Sequence, residues 1–235
     1  CLIVASDETE AGRIKNDLSF FFCDEIFYFP SKEYIFYDVD AANRDEEYKR
    51  LRTLAHLDSA RVVVTTAKAL LQYTVPKNVF NKYCRTLSVG DIIEADKFCA
   101  SLAEIGYKRV SAVEGMGQFA RRGSIIDVFT PVYDDPLRIE LFDDEVDAVS
   151  LFDPLTGKVL QRVPRFVVYP ASHYVTPRDE VVRAIGTIKA ELTERLKELE
   201  GAGKLVEAQR LKERTLFDLE MLDQVGFCKG IENYS

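Results

Sequence analysis

The first third of the chain alternates short apolar runs with polar stretches that carry one apolar stripe. The runs are LIVAS (2–6), EIFYFP (25–30) and RVVVTT (61–66). Runs this short and this continuously apolar are typical of strands in a parallel sheet that is covered on both faces. The stretches between them predict helices. Residues 1–87 are therefore predicted to form a parallel α/β domain.

The pattern changes near residue 88. One helix is predicted over 94–105, where Gly106 ends it, and the segments after it are predicted to be strands with no helices between them. The sequence DPLTGK (153–158) has a proline near its start and a glycine near its end, which predicts a hairpin turn. Residues 88–170 are therefore predicted to form a small α+β domain with a mainly antiparallel sheet.

The last segment, residues 171–235, is predicted to be helical. Thr176 and Pro177 resemble the start of a helix. Apolar residues then recur on one helical face, at Val181, Ile185, Ile188, Leu192, Leu196 and Leu199. The sequence GAG (201–203) interrupts this pattern, and a second amphipathic helix is predicted over 204–225. Two such helices joined by a short glycine loop predict an antiparallel αα-hairpin.

Composition and charge argue against several classes of protein. With 39 acidic and 31 basic residues the formal net charge is −8, whereas a stand-alone nucleic-acid-binding module carries a net positive surface. No apolar run approaches the roughly 18 residues that a membrane helix needs. Five cysteines without a C-x-x-C pair, and only two histidines, argue against a zinc site and predict reduced thiols in a cytoplasmic protein. Because the chain opens with Cys1 rather than Met, it is expected to be a piece of a longer protein.

Motifs for catalysis or nucleotide binding are missing from the sequence. The phosphate loop G-x-x-x-x-G-K-[ST] does not occur, and the G-x-G of EGMGQF precedes a predicted strand rather than a helix. No Ser/His/Asp or Cys/His set suggests a nucleophile. The carboxylate groups at 134–135 and 143–145 are expected in exposed turns, with metal binding or acid catalysis as the alternative. As given, the chain is predicted not to be an enzyme and to carry no cofactor or metal.

The predicted strand LRIELF carries the strongest sign of function. Strict alternation places its leucine and isoleucine side chains on the core face, and Arg138, Glu140 and Phe142 on the other. Arg122 on the preceding strand and Arg109 after the first helix of this domain are expected to join them. Arginine beside an aromatic residue and a carboxylate is typical of a specific protein interface. The alternative is a solvated sheet face with weak ion pairs.

Two further surfaces leave alternatives open. Tyr34, Phe36 and Tyr37 form an aromatic cluster that is suited either to stacking on unpaired bases of DNA or to packing as a small core under a loop. The charged faces of the helical hairpin are expected to be solvated. A role in bridging DNA or a partner protein is the alternative for these helices.

Longer segments resemble two families of bacterial DNA-repair proteins. RIELFDDEVDAVSLFDPLTGKVLQRV (138–163) and GKLVEAQRLKERTLFDLEML (203–222) closely resemble UvrB, the damage-loading subunit of nucleotide excision repair. VEGMGQFARRGSIIDVFTP (113–131) and the first part of the chain are more similar to the amino-terminal module of Mfd, the transcription-repair coupling factor. The two families share this module, so the resemblance covers essentially the whole chain.

The resemblance implies a fold and a partner. The first domain would be an incomplete RecA-like domain, and the middle domain would be the surface through which both families dock onto UvrA. By motif, the docking residues correspond to Arg109 in GYKRV, Arg122 in FARRG, and Arg138 with Glu140 in LRIEL. Phe142 follows them on the same predicted face.

Three departures from the families bear on activity. UvrB typically has an arginine where this chain has Ala120, and the tyrosine-rich hairpin that UvrB inserts into damaged DNA is short here. The phosphate loop of the family is expected before Cys1, so ATP, Mg²⁺ and DNA are expected to bind the full-length parent. The predicted function is a UvrA-binding module of a nucleotide excision repair protein. The alternative is a fragment of a DNA-dependent ATPase motor whose ATP site lies outside this chain.

Overall fold

The structure is a computed structural model that describes residues 1–22, 26–32, 44–173, 178–225, 228 and 234. The described residues form a mixed α/β arrangement. The strands are β1 (Leu2–Ala5), β2 (Ile26–Phe29), β3 (Val62–Thr66), β4 (Arg85–Ser88), β5 (Lys108–Arg109), β6 (Gln118–Arg122), β7 (Ile125–Phe129), β8 (Leu137–Phe142), β9 (Glu145–Phe152), β10 (Val159–Arg162) and β11 (Arg165–Val168). The helices are α1 (Glu8–Phe21), α2 (Asp45–Ala55), α3 (Ala67–Leu70), α4 (Lys77–Tyr83), α5 (Ala95–Glu104), α6 (Arg178–Gly201) and α7 (Leu205–Val225).

The chain divides into two compact units, Cys1–Val175 and Thr176–Ser235. The first unit contains all the strands named above, and the second contains α6 and α7. The predicted boundary between residues 87 and 88 lies within the first unit, and it stays a prediction, as does the RecA-like character of the first segment.

The first sheet is parallel, as its apolar runs predict. Its strand order is β1-β3-β2, and both pairs are parallel. Helix α1 packs on one face, where Ala11 joins a core that includes Val62 and Val64. Asp7 begins this helix, because its Oδ1 accepts a hydrogen bond of 2.9 Å from the Glu10 amide.

The expectation that LIVAS is buried on both faces is wrong. The side chains of Leu2 and Val4 are 56% and 50% exposed, whereas Ala5 is buried. The reason is coverage: α1 packs on one face of β1, while α2 packs against β2 at the other end of the sheet. One face of β1 therefore stays in contact with solvent.

The second sheet has six strands in the order β10-β9-β8-β7-β6-β5. Every pair is antiparallel except β5 with β6. The predicted turn at 153–158 joins β9 to β10, and the Asp153 amide donates a hydrogen bond of 2.9 Å to the Lys158 carbonyl. Asp143 and Asp144 form the tight turn between β8 and β9, as expected, while Glu145 already belongs to β9.

The two faces of this sheet are covered unequally. Helix α5 and the separate β4–β11 pair close one face, around buried residues that include Phe98, Leu102, Phe119 and Ile139. The other face carries a smaller apolar cluster, whose members are Val113, Ala120, Phe129 and Phe152 with Val110 and Met116 against them. The remainder of that second face holds the charged residues considered below.

The second unit is the predicted helical hairpin. Helices α6 and α7 are joined by residues 202–204, and this short connection makes them antiparallel. Their contact is built on buried Val181, Ile185, Ile188, Leu219 and Leu222. Thr176 and Pro177, predicted to start α6, lie outside the described residues.

Candidate protein-docking site

Four of the predicted site residues lie on one face of the six-stranded sheet. In the strand register Asp127 pairs with Arg138, and Glu140 pairs with Ile125, which itself pairs with Arg122. Paired residues point to the same side of a sheet, and so do residues two apart along a strand. Arg122, Asp127, Arg138, Glu140 and Phe142 therefore share a face, opposite to α5.

Asp127 lies at the centre of this group. Its side chain is only 2% exposed, and its two oxygens bind both guanidiniums. Arg138 donates from Nε to Oδ1 at 2.8 Å and from Nη2 to Oδ2 at 3.0 Å, while Arg122 donates from Nη2 to Oδ2 at 2.7 Å. One buried carboxylate on β7 thus holds two arginines from the strands on either side of it, Arg138 through two hydrogen bonds and Arg122 through one.

Arg138 is less accessible than alternation predicts. Its side chain is 15% exposed, its guanidinium lies 4.2 Å from the centre of the Phe152 ring, and its Nη1 donates to the Gly157 carbonyl at 3.4 Å. The hydrogen bonds with Asp127 raise the pKa of the Arg138 guanidinium. The expectation of a fully solvent-facing Arg138 is therefore corrected: the residue is on the predicted face, but most of its surface is used within the domain.

The accessible part of the face consists of three side chains. Arg122 is 55% exposed, Glu140 is partly exposed, and Phe142 is 77% exposed where β8 ends. Among the described contacts Arg122 uses only its Nη2, toward Asp127. We refer to Arg122, Glu140 and Phe142 as the docking face. It offers a cation, an anion and an aromatic ring to a partner.

Arg109 does not join this face by register. It pairs with Phe119, whose ring lies in the core beneath α5. Burial raises the pKa of the Cys99 thiol on α5, and the positive charges of Arg121 and Arg109 oppose part of that rise. The structure thus places Arg109 toward the opposite side of the sheet, although β5 is an edge strand and the residue is exposed.

Ala120 explains a gap in the charged face. Its side chain is 1% exposed and packs with Phe129 and Phe152. An alanine here allows an apolar cluster to close over part of the sheet. The charges are consequently confined to the region around Asp127.

Asp127 was missed in the sequence, although a signal for it exists. It is the single polar residue in the strand IIDVF, and all its neighbours on that strand except Ile125 are buried. A carboxylate in such a position needs a charged partner, because an unpaired buried charge is strongly unfavourable. Removing one partner from a buried ion pair typically costs about 3–5 kcal/mol. The choice of Arg122 and Arg138 as its partners depends on cross-strand register, which the strand itself does not reveal.

Other predicted chemistry finds no further support in the structure. Tyr34, Phe36 and Tyr37 lie outside the described residues, and their contact with DNA stays a prediction. Within the described ranges, no three His, Cys, Asp or Glu side chains are grouped closely enough to hold a metal ion. No helix in the described part of the chain has the length and apolar character needed to cross a membrane.

A sheet face that is left partly open and carries two arginines beside an exposed aromatic residue has the composition typical of the class of protein-interaction surfaces. Comparison with known families agrees with this class. Residues 86–174 match the family described as the UvrB interaction domain, and residues 179–235 match the UvrB third helical domain. Over these two stretches the chain is similar to two domains of UvrB proteins.

Individual relatives extend the comparison along the chain. The chain is 46% identical to the UvrABC system protein B of Burkholderia mallei, over 88% of this chain and 30% of that protein. It is 38% identical to the protein of the same name from Shigella flexneri, over 100% of this chain and 37% of that protein. It is 39% identical to the UvrABC system protein B of Legionella pneumophila, over 100% of this chain and 38% of that protein. The chain thus spans about a third of the length of the curated relatives it matches.

These relatives bear on the resemblance of the first part to Mfd. The Shigella and Legionella proteins align with the whole chain, including that first part, and both are UvrB proteins. The Mfd-like interpretation of the first half is therefore not supported. Ala120, where UvrB typically has an arginine, packs in the apolar cluster with Phe129 and Phe152.

Proposed function

We propose that this chain is a docking module that binds a UvrA-like protein in nucleotide excision repair. The observation that carries the proposal is the docking face within residues 86–174, the segment that matches the UvrB interaction domain. Arg122, Glu140 and Phe142 are accessible there on the sheet face opposite to α5. A partner that fits this face presents a carboxylate to Arg122 and an apolar pocket to Phe142.

Charge reversal at Arg122 tests this proposal. Arg122→Glu is expected to weaken binding to purified UvrA at least tenfold in a titration by biolayer interferometry. The matched control is Arg13→Glu, which reverses an exposed arginine on α1, far along the chain from the docking face. Circular dichroism spectra of both variants should equal that of the unaltered chain. Binding of Arg122→Glu at full strength would overturn the proposal.

Arg138 and Arg109 call for different expectations. Arg138→Glu would place a second carboxylate beside buried Asp127, so loss of binding by that variant would be accompanied by loss of stability. Arg109 stays a proposed contact, since the long side chain of an edge-strand residue can bend around the sheet edge. Normal binding by Arg109→Glu would limit the contact set to the docking face.

We propose no nucleotide chemistry for residues 1–235. ATP and Mg²⁺ follow from the family resemblance alone, and the sequence has no phosphate loop to hold them. The residues of this chain therefore do not fit a site for ATP and Mg²⁺. ATP-dependent activity and DNA binding are proposed only for longer proteins of this type. The test is a titration with a fluorescent ATP analogue, which is expected to show no saturable binding to this chain. A cytoplasmic location is likewise proposed, because the cysteines of the described residues, Cys1, Cys84, Cys99 and Cys228, are free thiols.

A further inference from the structure

We infer that Asp127 is a positioning residue for docking: it holds the Arg122 guanidinium in the orientation in which the partner's carboxylate binds it. This inference rests on the proposed function. It assigns a role to a residue that is itself too buried to touch a partner, since its side chain is 2% exposed.

The argument begins with the arrangement of charges. Two guanidiniums from β6 and β8, the strands on either side of β7, converge on one carboxylate. Asp127 Oδ2 accepts a hydrogen bond from each of them, at 2.7 Å from Arg122 and 3.0 Å from Arg138. Without that carboxylate the two positive charges would repel each other across β7 with no anion between them. Asp127 thus allows both arginines to occupy this face.

The second step concerns freedom of motion. A half-exposed arginine has several rotatable bonds, and fixing it on binding costs free energy. The bond from Arg122 Nη2 to Asp127 restricts the side chain before a partner arrives. The remaining guanidinium N–H groups carry no other bond among the described contacts, so they stay available for a carboxylate. Arg138, the second arginine bound to Asp127, is mostly buried against Phe152, and this packing holds the Arg138 side chain in place.

The third step concerns the partner. Arg122 and Arg138 carry two positive charges and Asp127 one negative charge, so one positive charge at this point of the sheet is left without compensation by Asp127. Glu140 lies on the same face of β8 as Arg138, with one residue between them in the sequence. A partner carboxylate that approaches Arg122 must therefore avoid Glu140. This alternation of charge selects for the orientation of the partner.

The experiment compares Asp127→Asn, Arg122→Gln and the double variant in UvrA binding. Asparagine keeps the size and one acceptor oxygen but removes the charge. We expect Asp127→Asn to weaken binding at least fivefold at a temperature where circular dichroism shows it fully folded. We expect the double variant to bind as weakly as Arg122→Gln alone, because both changes remove the same interaction.

The outcomes separate this inference from the proposed function. If the unaltered chain does not bind UvrA, the proposed function fails. If it binds, Arg122→Gln weakens binding, and folded Asp127→Asn binds as tightly as the unaltered chain, the positioning role is overturned. Additive losses in the double variant would also overturn it, because they would mean that Asp127 acts independently of Arg122.

A second measurement covers the case in which Asp127→Asn does not fold. Nitrogen NMR of the arginine side chains in the unaltered chain should show slowed rotation of the Arg122 guanidinium, and the slowing should persist when UvrA is added. Arg13 provides the comparison signal from an exposed arginine on α1. A freely rotating Arg122 guanidinium, or one released from Asp127 in the complex, would contradict the inference.

Discussion

Arg52 on α2 and Asp134, in the loop before β8, form a two-point ion pair, with Nη1–Oδ1 at 2.6 Å and Nη2–Oδ2 at 3.1 Å. Two further contacts run beside it. The Tyr48 hydroxyl donates a hydrogen bond to the Met116 carbonyl at 3.1 Å. Glu47 Oε1 accepts a hydrogen bond of 3.0 Å from the backbone amide of His173. Helix α2 is thereby joined at three points to residues 86–174, the stretch that contains the docking face.

Breaking the ion pair is expected to have a small effect that depends on pH. Arg52 and Asp134 are 38% and 75% exposed, so Asp134→Asn should lower the free energy of unfolding by no more than about 1 kcal/mol. The hydrogen bond from Arg52 lowers the pKa of Asp134. Because the pKa of Asp134 is lower in the folded state, the ion pair stabilises the fold at pH values above the unfolded pKa of Asp134. This stabilisation is lost as the pH falls through the folded pKa. Urea unfolding should show the difference at pH 7 and not at about pH 2.

Gly117 should not tolerate a side chain. Its φ is +74°, and a Cβ placed there would overlap the hydroxyl oxygen of Tyr48. Gly117→Ala is expected to lower the free energy of unfolding by about 2–4 kcal/mol, from the left-handed backbone and the overlap together. Gly123→Ala is the matched control, since φ is +63° but no atom lies within 4 Å, and it should cost about 1–2 kcal/mol. Adding Tyr48→Phe to Gly117→Ala should recover part of the loss, and equal costs for the two alanine variants would contradict this account.

Glu8 should stabilise the first sheet through its charge. Its carboxylate accepts hydrogen bonds from the Tyr28 hydroxyl, the Ser31 amide and the Thr66 hydroxyl, the last two at 3.0 Å. Burial raises the pKa of Glu8, but these hydrogen bonds outweigh burial and the pKa is lowered. Glu8→Gln is therefore expected to lower the free energy of unfolding by about 1–3 kcal/mol at pH 7.

The pH dependence of this effect has a definite sign. Because the folded pKa of Glu8 is lowered, its contribution is present above the unfolded pKa, near 4.3, and fades as the pH falls through the folded value. Denaturation curves of Glu8→Gln and the unaltered chain should therefore converge in acid. Glu114→Gln, an exposed position in a loop, serves as the control and should behave like the unaltered chain throughout.

Phe142 should contribute to docking and not to stability. It is 77% exposed, so Phe142→Ala is expected to change the free energy of unfolding by less than about 0.5 kcal/mol. Binding to UvrA should weaken about tenfold, since a buried aromatic anchor is a common source of binding energy. Phe20→Ala, at an 84% exposed position on α1, should leave binding unchanged. Equal affinities for the two variants would show that Phe142 is not an anchor.

Local patterns in the sequence were sufficient for much of the fold. The alternation in LRIELF predicted which residues are buried: Leu137, Ile139 and Leu141 are each no more than 7% exposed. The GAG turn and the two apolar stripes around it predicted the contact between α6 and α7. These predictions succeeded because helix and strand periodicity, and the backbone demands of tight turns, act between residues close in the chain.

The docking face shows where such reasoning ends. The chain by itself determined that Glu140 and Phe142 would lie on the face of β8 opposite to its buried residues, because period-two alternation needs only the strand. Only the tertiary structure decided that buried Asp127 links Arg122 to Arg138, that Arg109 pairs with Phe119 on the other side, and that Leu2 stays exposed. Each of these depends on strand register and on which element covers a face. Those properties are set by contacts between residues far apart in the chain, and no local pattern encodes them.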